Sequence, residues 1–380
     1  MYGNIDLTAA AVHYSLLYFS MIVLSGLSLA YGKNEKSKRK NIIFWASAIL
    51  FVLMAFRDKG MGNDTASYTA MFNVLSDFAN PLDYIRNSIT EAGYLCYCWL
   101  LSRLVDNARI LFFVSSAFII GSLGRFANKY VDNVGLFYCL LVGTLYFDFL
   151  LSAVRQGMAI AILLFAFDYL IARKPVPYYA LCILAVLFHN SSIVFLLLYP
   201  LFSAKNMAKK QSFVAHLTIF TVAFCSGFVF DSILIWLLRW FPKYSYYLGS
   251  VLFDGELRLA VILKFLVFLL LLVVPIVVRK KPSIEPLRDN AAKQMAKINL
   301  AIIVVASNAT ALMRFSSSFS PFSLMYYSNS VGRIRSPNRD KAWLTLFTLV
   351  AFYFYGLTLV VLKTPEWQTT YPIQLSWWIR

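Results

Sequence analysis

The sequence predicts an all-α, polytopic membrane helix bundle. Composition is the first reason: of 380 residues, 60% are hydrophobic and 14% charged, against about 45–50% and ~25% in soluble domains. A chain this apolar cannot bury its side chains in one soluble core. The second reason is repetition, because apolar runs reach or approach the roughly 20 residues that cross a bilayer. The third is where the charge lies. The net +17 gathers in short basic breaks between apolar runs, which is the positive-inside pattern of membrane proteins. These breaks include "KNEKSKRK" (33–40), "ARKP" (172–175), "RKKPS" (279–283) and "GRIRSPNRDK" (332–341). A nucleic-acid partner would need a soluble basic face, and this pattern provides none. Attraction to anionic lipid headgroups is the remaining use of the charge.

Taken along the chain, helices are expected at 9–31, 42–56, 109–127, 134–152, 155–172, 178–203, 212–230, 259–278, 296–314, 316–331 and 342–362. Together with "EAGYLCYCWLLSRLV" (91–105), which is short and charged at both ends, they make about 11–12 membrane helices. Segment 91–105 fits a membrane-embedded or re-entrant piece on the outer side. Residues 57–108 and 231–258 are the expected extracytoplasmic loops of a single polytopic domain, 1–380. Basic breaks placed in the cytoplasm put the N-terminus outside, 33–40 inside, and the Arg57 cluster outside. The first apolar run lacks a charged n-region and a cleavage site, so it is expected to be retained. Segment 178–203 conflicts with this alternation, since both of its ends look cytoplasmic. Its 26 residues span about 39 Å as a helix, enough for one crossing and too little for two. A break at "FHNSS" near His189 resolves the conflict.

Five cysteines (Cys96, Cys98, Cys139, Cys182, Cys225) lie in apolar surroundings without metal-ligand spacing. They read as small buried hydrophobes, and neither a metal nor another cofactor is expected.

Ionisable groups inside or at the lip of spans are costly, which makes each a candidate for function. Four clusters stand out. The first is "RDKGMGNDTASY" (57–68), where Asp64 and Tyr68 share a face if the segment is helical. Asp64 also fits an ordinary helix N-cap behind Gly60 and Gly62, and Arg57 a headgroup anchor. The second is "RQGMA" (155–159), where Arg155 and Gln156 sit between apolar runs and Gly157 allows close helix approach. Its plain alternative is a snorkelling arginine. The third is His189-Asn190-Ser191-Ser192, four polar residues in an otherwise apolar run. The fourth is Arg314 at the outward end of a late span, which also fits interfacial anchoring. Three arginines, a carboxylate, a tyrosine and a histidine thus collect on one side. Guanidinium forks bind phosphate oxygens bidentately, so the ligand class is a polyanionic headgroup such as a lipid pyrophosphate.

These stretches resemble the EpsG/Wzy family of oligosaccharide polymerases. The matching positions are Arg57 with "GND" (62–64) and Tyr68, "EAGY" (Glu91–Tyr94), "RQGMA" (Arg155–Ala159), Ala185 with His189 and Ser191, and Arg314–Phe315. They keep order and spacing over roughly residues 40–330. At the last position the family continues with a Tyr-Phe pair, where this chain reads "RFSSSF". The resemblance implies a glycosyltransferase of the bacterial inner membrane, with its site facing the periplasm or exterior. It would join undecaprenyl-pyrophosphate-linked repeat units into O-antigen, capsule or exopolysaccharide, beside a flippase and a chain-length regulator. Under that reading Arg57, Arg155 and Arg314 stabilise the departing pyrophosphate, and Asp64 or His189 is the base. Tyr68, Gln156 and Ser191 orient substrate, and Glu91 holds an arginine. A lipid-linked oligosaccharide flippase is the rival, and an O-antigen ligase would share the pyrophosphate chemistry. Against a transporter stand the lack of internal repeats and the one-sided placement of the polar residues.

Overall fold

The computed structural model describes residues 6–31, 33–203, 259–278, 281, 283, 285–306, 312–335, 338–363 and 370–376. The described protein is an all-α polytopic bundle. In order come α1 (Leu7–Tyr31), α2 (Glu35–Ala55), α3 (Thr65–Ser76), α4 (Pro81–Ile85), α5 (Ala92–Leu104) and α6 (Arg109–Tyr130). They are followed by α7 (Val134–Gly143), α8 (Tyr146–Ser152), α9 (Val154–Ile171) and α10 (Pro175–Phe188). A 3₁₀ segment (Asn190–Leu197) leads into α11 (Leu198–Ser203). Later come α12 (Leu259–Val277), α13 (Pro286–Val305), α14 (Met313–Gly332) and α15 (Asn338–Lys363). The expected span 212–230 and excursion 231–258 lie outside the described residues.

Among the described residues five helices are long and apolar enough to cross a membrane: α1, α6, α9, α12 and α15. The pair α7–α8, bent by 63°, makes a sixth if it is one span. The sequence reads 134–152 as one helix, because the bend has no proline to announce it. It sits at Leu145, held at φ 55 in the left-handed region that side-chain-bearing residues adopt only at a cost. The segment 178–203 is three pieces rather than one helix, with His189 in extended conformation (φ −158) just after α10. The late helix expected at 296–314 is α13 and runs from Pro286 to Val305. Its first turns are too polar to read as a span, yet proline at the N-terminus fixes its start.

Local chemistry sets the other ends. Asn34 caps α2 by accepting the Ser37 N–H at 2.8 Å, and Asn133 caps α7 through the Leu136 N–H at 3.1 Å. At the C-terminus of α6, Arg39 donates to the carbonyls of Val131, Ala127 and Asn128. A cation there completes orphan carbonyls and opposes the helix dipole.

The chain divides into two compact units. One comprises Met1–Leu196, Arg279–Lys281 and Ser328–Arg380, and the other Leu197–Val278 and Pro282–Tyr327. In the first, α9 lies against α10 and α6, and α6 against α2. The most apolar stretch of α9 is 72% buried, against 28% for α1, so α9 is an internal helix and α1 leaves much of its surface uncovered by the described protein. Tyrosines tie α1 to α15: the Tyr18 hydroxyl donates to the Leu349 carbonyl at 2.8 Å. In the second unit α12 packs on α13. The buried Asn299 amide of α13 accepts from Ser316 at 2.7 Å and donates to Ser323 at 3.0 Å. Both ends of that amide are thereby satisfied, which a buried polar group requires.

Candidate active site

The first unit brings together Arg57, Asp64, Tyr68, Glu91, Arg155, Gln156, His189 and Ser191. Arg57 follows α2, where the chain enters a short antiparallel pairing with the C-terminal segment around Leu375. Asp58 N–H donates to the Gln374 carbonyl and Ser376 N–H to the Phe56 carbonyl, both at 2.9 Å. Two backbone bonds thus hold Arg57 in place from more than three hundred residues away. The side chain is buried, so it is not a headgroup anchor. One Nη donates to the Leu151 carbonyl near the end of α8, where the helix dipole favours a cation. The guanidinium carbon also lies 4.4 Å from the Phe112 ring centroid. The remaining Arg57 donors, Nε and Nη2, are buried and have no hydrogen-bond partner among the described residues.

The loop after Arg57 turns at Gly62, whose φ of +81 suits glycine. A Cβ there would also meet the Leu151 side chain at 3.0 Å and the Ser152 backbone at 3.3 Å. This turn sets Asp64 just before α3. Asp64 forms no side-chain cap bond, so the N-cap reading does not describe its carboxylate. The exposed carboxylate instead accepts from the Tyr68 hydroxyl one turn later, at 3.4 Å. Burial, with the Asp64 charge second, pushes the Tyr68 hydroxyl up to about 12. It therefore stays protonated and acts as a donor.

Glu91 is the hinge of the network. One carboxylate oxygen receives an Arg155 Nη at 2.6 Å, and the other the backbone N–H of Asn190 at 3.1 Å. A single side chain thus fixes an arginine of α9 and the start of the 3₁₀ segment. Gly93, two residues on, explains how α5 comes so close to α10. A Cβ at that position would stand 2.8 Å from the Leu187 Cβ and carbonyl oxygen, nearer than backbone can yield. Arg155 is in the first turn of α9, where the positive helix end adds to its charge. It lies over the Tyr68 ring at 6.0 Å, its Nε has no partner among the described residues, and 26% of its side chain is exposed. Tyr68 and Tyr94 face each other at 5.7 Å.

Beside Arg155, Gln156 donates to Ser191 at 3.2 Å. Ser191 Oγ stands 2.8 Å from Nδ1 of His189, and the Ser191 backbone N–H points to the same nitrogen at 3.2 Å. A backbone N–H can only donate, so Nδ1 accepts and the neutral ring carries its proton on Nε2. Arg314 belongs to the second unit, exposed in the first turn of α14.

The sequence reading passes over three contributors: Phe112, the Leu151 carbonyl and the Gln374–Ser376 backbone. None has a local signature, because each acts through a partner distant in sequence. Among the described residues no cluster of three or more metal-ligating side chains occurs.

A multi-pass helix bundle that carries two arginines, two carboxylates and a histidine at helix breaks defines a membrane protein with a charged polar cluster. The chain belongs to the EpsG family, whose model matches residues 40–375. That family comprises Wzy-like polymerases, and membership supports a membrane polysaccharide polymerase of glycosyltransferase type. No curated protein matches the chain, and no solved structure does either.

Proposed function

We propose that the protein joins undecaprenyl-pyrophosphate-linked oligosaccharide repeat units into polymer on the outer face of the bacterial inner membrane. One observation carries this reading beyond the family. Arg57 and Arg155 keep buried N–H donors without partners among the described residues, Nε and Nη2 on the first and Nε on the second. A buried guanidinium with unmet donors is costly unless an anion completes it. A pyrophosphate supplies several oxygens of the right charge, and the fork geometry of arginine suits them.

In the proposed reaction the acceptor hydroxyl attacks C1 of the donor sugar and forms the new C1–O bond. The bond from C1 to the pyrophosphate oxygen breaks, and the lipid pyrophosphate leaves with the electron pair. Arg57 and Arg155 stabilise the charge that develops there, the positive end of α9 adding to it. The hydroxyl proton goes to Asp64, whose carboxylate is exposed and held by Tyr68. His189 Nδ1 is already occupied as the acceptor of the Ser191 N–H, so the role of the ring is that of an Nε2–H donor to substrate oxygen. Glu91 positions Arg155, and Gln156 with Ser191 sets the histidine ring. Arg314 and the flanking flippase and chain-length regulator remain part of the proposal on resemblance alone.

The test is the surface glycan of a deletion strain complemented with Asp64→Ala. The variant is expected to be stably expressed and to display glycan one repeat unit long, because units still cross the membrane and are still ligated. Long polymer from Asp64→Ala would remove the base assignment. Loss of all surface units, at normal protein levels, would move the reading to a transporter.

A further inference from the structure

A groove of about 530 Å³ runs along the first unit between α2 and α6, away from the site above. That volume is in the range of ligand sites, ~300–1,000 Å³. Its floor is made of small residues, Ser47 and Ala48 on α2 and Ala117, Gly121 and Gly124 on α6. Neighbouring Phe44 and Trp45 are 62% and 54% exposed, so no described part of the protein covers this side of α2. From Lys40 to Phe51 the groove rises roughly 16 Å at 1.5 Å per residue, about half the ~30 Å hydrocarbon core. The length is that of one leaflet. Phe51, Phe56 and Phe113 close the far end, with ring centroids 5.3 to 6.5 Å apart.

The open end is basic. Lys40 and Arg125 line it together with Asn128. Arg39 donates to the backbone of Ala127 and Asn128 beside it, and Lys129 reaches Asp168 at 3.2 Å. Arg125 bonds the same carboxylate. Two of these cations, Arg125 and Lys129, share the Asp168 carboxylate, while Arg39 is taken up by backbone carbonyls and exposed Lys40 forms no ion pair among the described residues. Two observations, an apolar trough one leaflet long and a surplus of positive charge at its mouth, call for the same molecule.

We infer that this groove holds one anionic phospholipid, its phosphate at Lys40, Arg125 and Asn128 and an acyl chain along α2 and α6. Basic pockets between membrane helices recognise anionic headgroups in this way. The occupant is a structural lipid at the Lys40 end of α2. The reacting pyrophosphate belongs at the Arg57 end, so this inference stands whether or not the polymerase reading holds.

Native mass spectrometry of the purified full-length protein tests it, with equal amounts of phosphatidylglycerol and phosphatidylcholine of identical chains. The protein is expected to retain one phosphatidylglycerol, preferred by roughly fivefold or more, as about 1 kcal/mol per cation near the headgroup implies. Gly121→Phe should fill the trough and lose both lipids. A Cβ at Gly121 meets nothing within 4 Å, so the new side chain starts in open space; folding of the variant is verified by its monodisperse elution, and Ala117→Phe on the same wall repeats the test. Lys40→Glu should keep a lipid but lose the headgroup preference. Unchanged retention in the filled variants overturns the inference, as does an unchanged preference in Lys40→Glu. A polyprenyl phosphate bound in the groove with no dependence on Lys40 overturns it too.

Discussion

Arg155→Lys is expected to remain folded and membrane-inserted while polymerisation falls by roughly 10²–10³-fold, the loss typical when one oriented donor to a developing anion is removed. The reason is geometric. Arg155 uses one Nη for Glu91 at 2.6 Å and still has Nε to offer. Lysine keeps the charge but presents a single ammonium group, which cannot hold Glu91 and a phosphate in the same fixed plane. The measurement is polymer formation per copy of protein, with expression verified by immunoblot. Near-normal polymer would reduce Arg155 to a structural partner of Glu91.

The second large effect separates three substitutions at one position. His189→Ala is expected to lose most activity, by roughly 10²-fold if an oriented donor disappears. His189→Gln should recover a clear part of it, because the glutamine amide can place an N–H where Nε2–H stood. His189→Asn should not, since its shorter amide reaches only the Nδ1 region already occupied by Ser191. If His189 were the base, glutamine and asparagine would be equally dead, because neither takes up a proton. Equal loss in Gln and Asn variants with intact folding would therefore contradict the donor assignment and return the histidine to the role of base.

Most of the fold could be read from hydrophobic runs, because a bilayer demands long apolar helices with satisfied backbones. The break at His189 was legible for a similar reason: four polar residues in a row cannot continue a lipid-facing helix. The bend at Leu145 was not, since Leu145 and its neighbours look like any apolar run and the left-handed residue is set by tertiary packing. The start of α13 was missed because a helix entering from water carries charge that a hydropathy reading treats as loop. Within the site, Arg57, Asp64, Glu91, Arg155 and His189 announced themselves as polar groups at the edges of spans. Their connections did not. That Glu91 joins Arg155 to the Asn190 backbone depends on Gly93 letting α5 settle on α10. That Arg57 is buried depends on a backbone pairing with Leu375.

Reconstitution tests the central claim most directly. The purified protein in liposomes receives one undecaprenyl-pyrophosphate-linked repeat unit as its sole substrate, without metal or nucleotide sugar. The proposed reaction predicts a ladder of lipid-linked oligomers, with one undecaprenyl pyrophosphate released for each new glycosidic bond, and its loss in Arg155→Lys. Movement of intact repeat units across the bilayer with no ladder and no released pyrophosphate would contradict it.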